Sequence, residues 1–128
     1  IDTTGDLKKI LAPLVKVKDE NRFLAQVFQS IRIEVNDELE VIRTLLSDSS
    51  KYIKKGGRLV CISYHSLEDR IVKRFIQNGG YNEEVPSDFY GKKNFIFKKV
   101  GKMITPSIEE IKLNNRSRSA KLRIAEKI

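Results

Sequence analysis

The stretch GGRLVCISYHSLEDRIVKRFI, Gly56 to Ile76, decides the fold. After a glycine pair, Leu59 to Ser63 form a short continuous apolar run, the pattern of a buried strand. Lying between two helical patterns, such a strand suits the centre of a parallel sheet. A polar cluster follows, Ser63-Tyr64-His65-Ser66-Leu67-Glu68-Asp69. Then Leu67, Ile71 and Phe75, widened by Val72 and Ile76, make the apolar stripe of a helix. Ser66 is placed to cap that helix, with Asp69 completing an imperfect capping box. Gly79-Gly80 ends it.

The polar cluster has two readings. In open α/β sheets ligands bind beyond the carboxyl ends of strands, and a helix N-terminus offers free N–H groups to an anion. On that reading Ser63, Tyr64, His65 and Ser66 form a ligand or substrate rim. On the other, Ser66 only caps, Asp69 supports it and His65 fills the turn. A hydrolase triad of Ser63, His65 and Asp69 is disfavoured, because the glycines of a G-x-S-x-G nucleophile elbow are missing on both sides of Ser63. Cys61 sits inside the apolar strand and reads as core.

Upstream, residues 3–18 read as a short polar helix or a loop, with Thr4 able to cap a first turn and helical spacing continuing around Pro13. From Leu24 through Leu46 apolar residues recur at steps of three and four, giving one long helix or two joined near Asn36. Asn36 followed by Asp37 and Glu38 looks like a helix restart. Gln29, Arg32 and Asn36 share a face there, as a substrate contact or as a solvated surface. Downstream, residues 81–93 are a polar loop and Phe95–Val100 a strand. Ser107 and Glu110 form a capping box for a short helix ending near Leu113. Asn114–Ser119 is a loop, and alternation from Ala120 marks a last strand. The order of elements fits a thin α/β sheet.

Composition narrows the function classes. The 128 residues amount to one domain. No apolar run approaches the ~20 residues that span a bilayer. No leader pattern argues for export. One cysteine and one histidine exclude an internal disulfide and make a zinc site unfavourable. Residues 1–91 carry 14 basic and 14 acidic side chains, whereas residues 92–128 carry 11 and 3, so the whole net charge of +8 lies in the last part. Such a basic segment suits a polyanion such as nucleic acid, or is a solvated basic face, and charge alone does not choose between them. Within it, Arg116 and Arg118 alternate with serines, and Lys121 and Arg123 follow. Guanidinium forks match phosphate oxygens. Tyr81, Tyr90, Phe95 and Phe97 could stack on bases, although the Phe pair reads rather as core and the tyrosines stay open between the two roles.

Three phrases occur in series: FQSIRIEVNDEL (Phe28–Leu39), GGRLVCISYHSLEDRIVKRF (Gly56–Phe75) and NNRSRSAKLRIAEK (Asn114–Lys127), with TPSIEE (Thr105–Glu110) before the last. Together they resemble the C-terminal half of the MraW family, bacterial S-adenosylmethionine-dependent methyltransferases acting on N4 of a cytosine in small-subunit ribosomal RNA. The resemblance runs from Thr3 to the end of the chain. The chain departs from the family at Gln26, Met103 and Asn115. The resemblance implies an α/β fold, the C-terminal half of a class I (Rossmann-like) methyltransferase sheet with flanking helices. Residues 1–20 would end a helical insertion subdomain, and 21–128 would be the C-terminal part of the methyltransferase domain. Leu59–Ser63, Phe95–Val100 and Ser119–Glu126 would be strands five, six and seven, the last antiparallel at the edge.

The resemblance also implies direct methyl transfer without a covalent enzyme intermediate, in the cytoplasm. It implies Ser63, His65 and Ser66 at the pocket rim, as catalytic candidates. Arg32 and Asn36 would hold the base or its phosphate. Arg116, Arg118, Lys121 and Arg123 would bind the RNA backbone or pin the last strand. No metal is implied. The family's glycine-rich cofactor loop has no counterpart here, so no cofactor-binding residue is expected in this chain and S-adenosylmethionine would be held upstream. The chain would then be part of a longer enzyme, inactive alone. Its exposed half sheet would favour self-association or exchange of elements between copies. The alternative is a non-enzymatic RNA- or ribosome-binding module using the basic segment.

Overall fold

The computed structural model describes residues 1–15, 17–79 and 95–128. The expected loop over 81–93, with Tyr81 and Tyr90, lies outside the described residues. The chain forms two compact units, Ile1–Glu38 and Leu39–Ile128.

The first unit holds helices α1 (Thr4–Leu11) and α2 (Glu20–Val35), with short 3-10 turns at Ala12–Leu14 and Val17–Asp19 between them. The cap of α1 is Thr3, not Thr4. Thr3 Oγ1 accepts the Asp6 N–H at 3.1 Å and Asp6 Oδ2 accepts the Thr3 N–H at 3.1 Å. That reciprocal pair satisfies two donors at once and places the start one residue earlier. The helical pattern breaks at Asn36, as expected, but with the opposite role. Asn36 is the C-cap of α2, its N–H returning to the Arg32 carbonyl. Asp37 takes φ +50°, a left-handed conformation that Asp tolerates better than most residues.

The second unit contains α3 (Glu38–Tyr52, from Leu39 on), β1 (Arg58–Ser63), α4 (Ser66–Asn78), β2 (Phe97–Lys99), α5 (Ile108–Leu113) and β3 (Lys121–Lys127). The Gly56-Gly57 pair lies beyond α3 and turns the chain into β1. Gly56 has φ +80°, and a Cβ on Gly57 would meet Ile53 Cγ2 at 2.8 Å, so neither position suits a side chain. Gly79 closes α4 in a left-handed conformation, with its N–H on the Phe75 carbonyl at 2.8 Å.

The described strands form one antiparallel sheet in the order β1-β3-β2. This corrects two expectations. Among the described strands β1 is neither central nor parallel to a neighbour but stands at one edge, running antiparallel to β3 with Leu59 opposite Ala125 and Ser63 opposite Lys121. β3 is not at the edge but between the other two. The continuous apolar run of β1 concealed a two-faced strand. Its odd residues Leu59, Cys61 and Ser63 turn toward the helices, while Val60 and Ile62 stay 56% and 60% exposed on the other face. β2 is shorter than expected, Phe97–Lys99.

The core lies on the helical face of this sheet. Leu46 of α3, Ile71, Val72, Phe75 and Ile76 of α4, Phe97 of β2 and Ala125 of β3 are buried together. The Phe75 and Phe97 rings are 5.7 Å apart and tilted, so Phe97 is core and not a stacking platform. Phe95 is exposed. Cys61 packs against this cluster, and burial pushes its thiol pKa up, which opposes thiolate formation. No helix among the described residues is long and apolar enough to cross a membrane.

Candidate nucleic-acid interface

The β1–α4 turn is built around His65, not Ser66. His65 is the N-cap of α4, and Nδ1 accepts the Glu68 N–H at 3.4 Å. Glu68 Oε2 accepts the N–H groups of Tyr64 at 2.9 Å and His65 at 3.3 Å. The capping box is therefore His65–Glu68, and the turn's own side chains take up donors that the sequence seemed to offer an anion. His65 Nε2 lies 3.0 Å from Glu68 Oε1, yet it is buried without a hydrogen bond. Ser63 is buried at the end of β1, and Ser66 is exposed in the first turn of α4.

Asp69, expected in the cap, serves elsewhere. Its carboxylate accepts two bonds from Arg123, from Nε at 2.7 Å and Nη2 at 3.0 Å, and Lys121 Nζ stands at 3.5 Å. The Arg123 hydrogen bond, above all, holds the Asp69 carboxyl below its usual pKa, against the opposing effect of burial. Asp69 and Arg123 side chains are only 10% and 15% exposed. The charges of Lys121 and Arg123 thus pin β3 to α4. With Asp69 so engaged and His65 capping, no Ser63–His65–Asp69 relay forms.

Arg116 and Arg118 present their charge outward. Asn114 Oδ1 accepts the Arg116 N–H at 3.1 Å, and the Asn114 carbonyl accepts both the N–H and the hydroxyl of Ser117 at 2.9 and 2.8 Å. These bonds wind Asn115–Ser119 into a 3-10 turn instead of a loop. They bury Ser117 and leave both arginines exposed. Neither has an ion-pair partner among the described residues. With Tyr64, Asn115 and Ser119 they line a cavity of about 270 Å³. Tyr64, 57% exposed, was part of the expected rim but not an expected RNA contact. The signal available was an aromatic residue just past the end of a strand. The site therefore offers a ring face beside two guanidinium groups, which suits a base and its phosphates.

Arg32 and Asn36 belong to the first unit. Arg32 donates to Glu38 Oε1 and Oε2 at 2.7 and 3.1 Å, and Asn36 Nδ2 approaches Oε1 at 3.4 Å. Both converge on Glu38 across the α2–α3 junction. Among the described residues no group of three or more His, Cys, Asp or Glu is arranged to hold a metal ion.

The turn after β1 does not fit the cradle that S-adenosylmethionine needs. The turn after β1 contains no glycine, and its Tyr64, His65 and Glu68 N–H groups are bonded within the cap.

Residues 1–128 match the MraW methylase family over the whole chain. The chain belongs to that family. It is 55% identical over 128 residues to a ribosomal RNA small subunit methyltransferase H of Flavobacterium johnsoniae, covering 100% of this chain and 42% of that protein. Proteins with the same name in Cytophaga hutchinsonii and Parabacteroides distasonis are 50% and 47% identical, over 99% and 100% of this chain and 43% and 42% of theirs. The chain thus spans about two-fifths of the length of these relatives.

Proposed function

We propose that this chain is the C-terminal part of a cytoplasmic methyltransferase that transfers a methyl group from S-adenosylmethionine to N4 of a cytosine in small-subunit ribosomal RNA. The observation that carries this is the family match along all 128 residues, with relatives named for ribosomal RNA methylation. In this reading the sheet is the C-terminal half of a class I, Rossmann-like sheet, and residues 1–20 end a helical insertion. The cofactor cradle lies in the part of the protein beyond this chain.

What these residues contribute is RNA binding and positioning. Arg116 and Arg118 contact phosphates, and Tyr64 stacks on an exposed base. The His65–Glu68 cap fixes the turn that carries Tyr64, and Ser66 stands open beside it. The Asp69–Arg123 pair keeps β3, and hence the 3-10 turn before it, in register with α4. Arg32 and Asn36 reach RNA only by exchanging Glu38 for it. Holding an extruded base in reach of a bound methyl donor is itself a large part of catalysis.

The test has two arms. Full-length protein is incubated with methyl-labelled S-adenosylmethionine and unmodified small-subunit RNA, and the product is digested to nucleosides. Label in N4-methylcytidine is expected, and label confined to another base or to ribose would refute the reading. Calorimetry of the 128-residue chain with S-adenosylmethionine should show no binding, whereas tight stoichiometric binding would mean that the cofactor site has been misplaced.

A further inference from the structure

A second cavity, of about 220 Å³, opens between α3 and α4. It is lined by Leu39, Arg43, Leu67, Arg70, Ile71 and Arg74. Three of these residues are apolar and three are arginines. Arg43, from α3, is steadied by Glu40 Oε2 at 2.9 Å. Arg70 and Arg74 stand four residues apart on α4, where like charges face each other and repel. Among the described residues neither has an ion-pair partner. The two acids of α4 do not compensate them, because Glu68 is engaged with the His65 cap and Asp69 with Arg123. Arg70 and Arg74 therefore line one concavity with no ion pair among the described residues to offset their mutual repulsion, while Arg43, on the facing helix, is paired with Glu40.

We propose that this cavity is an anion site that receives a phosphodiester group of the RNA substrate. The inference rests on the RNA reading for the identity of the strand, but not for the presence of the site. Its position supports the assignment. Leu67 in this cavity and Tyr64 in the other lie three residues apart, on either side of the His65–Ser66 turn. A strand crossing that turn meets arginines on both sides. The guanidinium fork matches phosphate oxygens two at a time, and phosphate contacts of this kind set register on a nucleic acid without reading its sequence.

The experiment compares the wild-type chain, the Arg70→Gln/Arg74→Gln double variant and an Arg58→Gln control, in which an exposed arginine elsewhere in the unit is changed. Binding of a single-stranded small-subunit RNA oligonucleotide is measured from low to moderate salt. The double variant should bind about 10-fold more weakly. Its slope of log K against log salt should fall by about 0.7, the value for one phosphate contact on a single strand. The control should match wild type. Equal affinity and equal slope in the double variant would overturn the proposal while leaving the RNA reading intact. Side-chain Nε–H resonances of Arg70 and Arg74 are then followed during titration with inorganic phosphate and with a polyglutamate peptide. Shifts with phosphate in a chain that fails to bind RNA would keep the anion site and sink the RNA reading. A response to polyglutamate but not to phosphate would mean an acidic protein partner and overturn the proposal, as would no response to either.

Discussion

Replacing Asp69 by Asn tests what holds the second unit together. The change preserves shape and removes the charge that Arg123 needs. Arg123 donates to Asp69 twice, at 2.7 and 3.0 Å, and both side chains are largely buried. Breaking such a pair from one side costs about 3–5 kcal/mol, because the remaining charge stays desolvated. The half-buried Lys121, whose ammonium also faces Asp69, favours the low side of that range, about 3 kcal/mol. Replacing both partners with apolar residues, Asp69→Leu with Arg123→Met, should recover most of the loss.

The pH dependence supplies an independent check. The Asp69 carboxyl is lowered in the folded chain from an ordinary value of 3.8. A depressed carboxylate contributes stability that is complete above its unfolded pKa and is lost as pH falls through the folded one. The gap between wild type and Asp69→Asn should therefore be full at pH 7, begin to close below pH 3.8 and narrow further in stronger acid. Urea unfolding followed by circular dichroism at fixed protein concentration measures both. A gap under about 1 kcal/mol at pH 7, or one that does not narrow in acid, would refute the reasoning.

Two further outcomes are expected. Tyr64→Ala should weaken RNA binding by about 1–3 kcal/mol while Tyr64→Phe stays close to wild type, since the ring face and not the hydroxyl is used; equal binding by all three in a filter or fluorescence assay would remove Tyr64 from the interface. β1 is an edge of the described sheet, with Val60 and Ile62 exposed beside it, so the chain should self-associate and Val60→Lys with Ile62→Lys should reduce this; a compact wild-type monomer in solution scattering at high concentration would count against it.

Several features were legible in the sequence because their causes are local. The α4 stripe from Leu67 to Ile76, the glycine that ends it and the serine that caps α5 depend on residues within one or two turns. The family resemblance was equally legible, since it rests on long phrases in fixed order. Caps were placed one residue out at Thr3 and His65, because neighbouring polar residues compete and backbone geometry selects among them.

What tertiary structure alone decided is long-range. The apolar run Leu59–Ser63 is compatible with a buried central strand or a two-faced edge strand, and only pairing with β3 distinguishes them. Asp69 and Arg123 are 54 residues apart in the chain, and no local signal links them. Once antiparallel pairing sets Cys61 opposite Arg123, that guanidinium lies over α4 and takes Asp69 from the cap. Arg116 and Arg118 are alike in sequence to Lys121 and Arg123, yet the first pair stays open to solvent while the second is taken up by Asp69. The sequence by itself determined the main helices and the total charge; the sheet register determined which charges remain open to a partner, because a charge is neutralised by whatever the fold brings within a few ångströms.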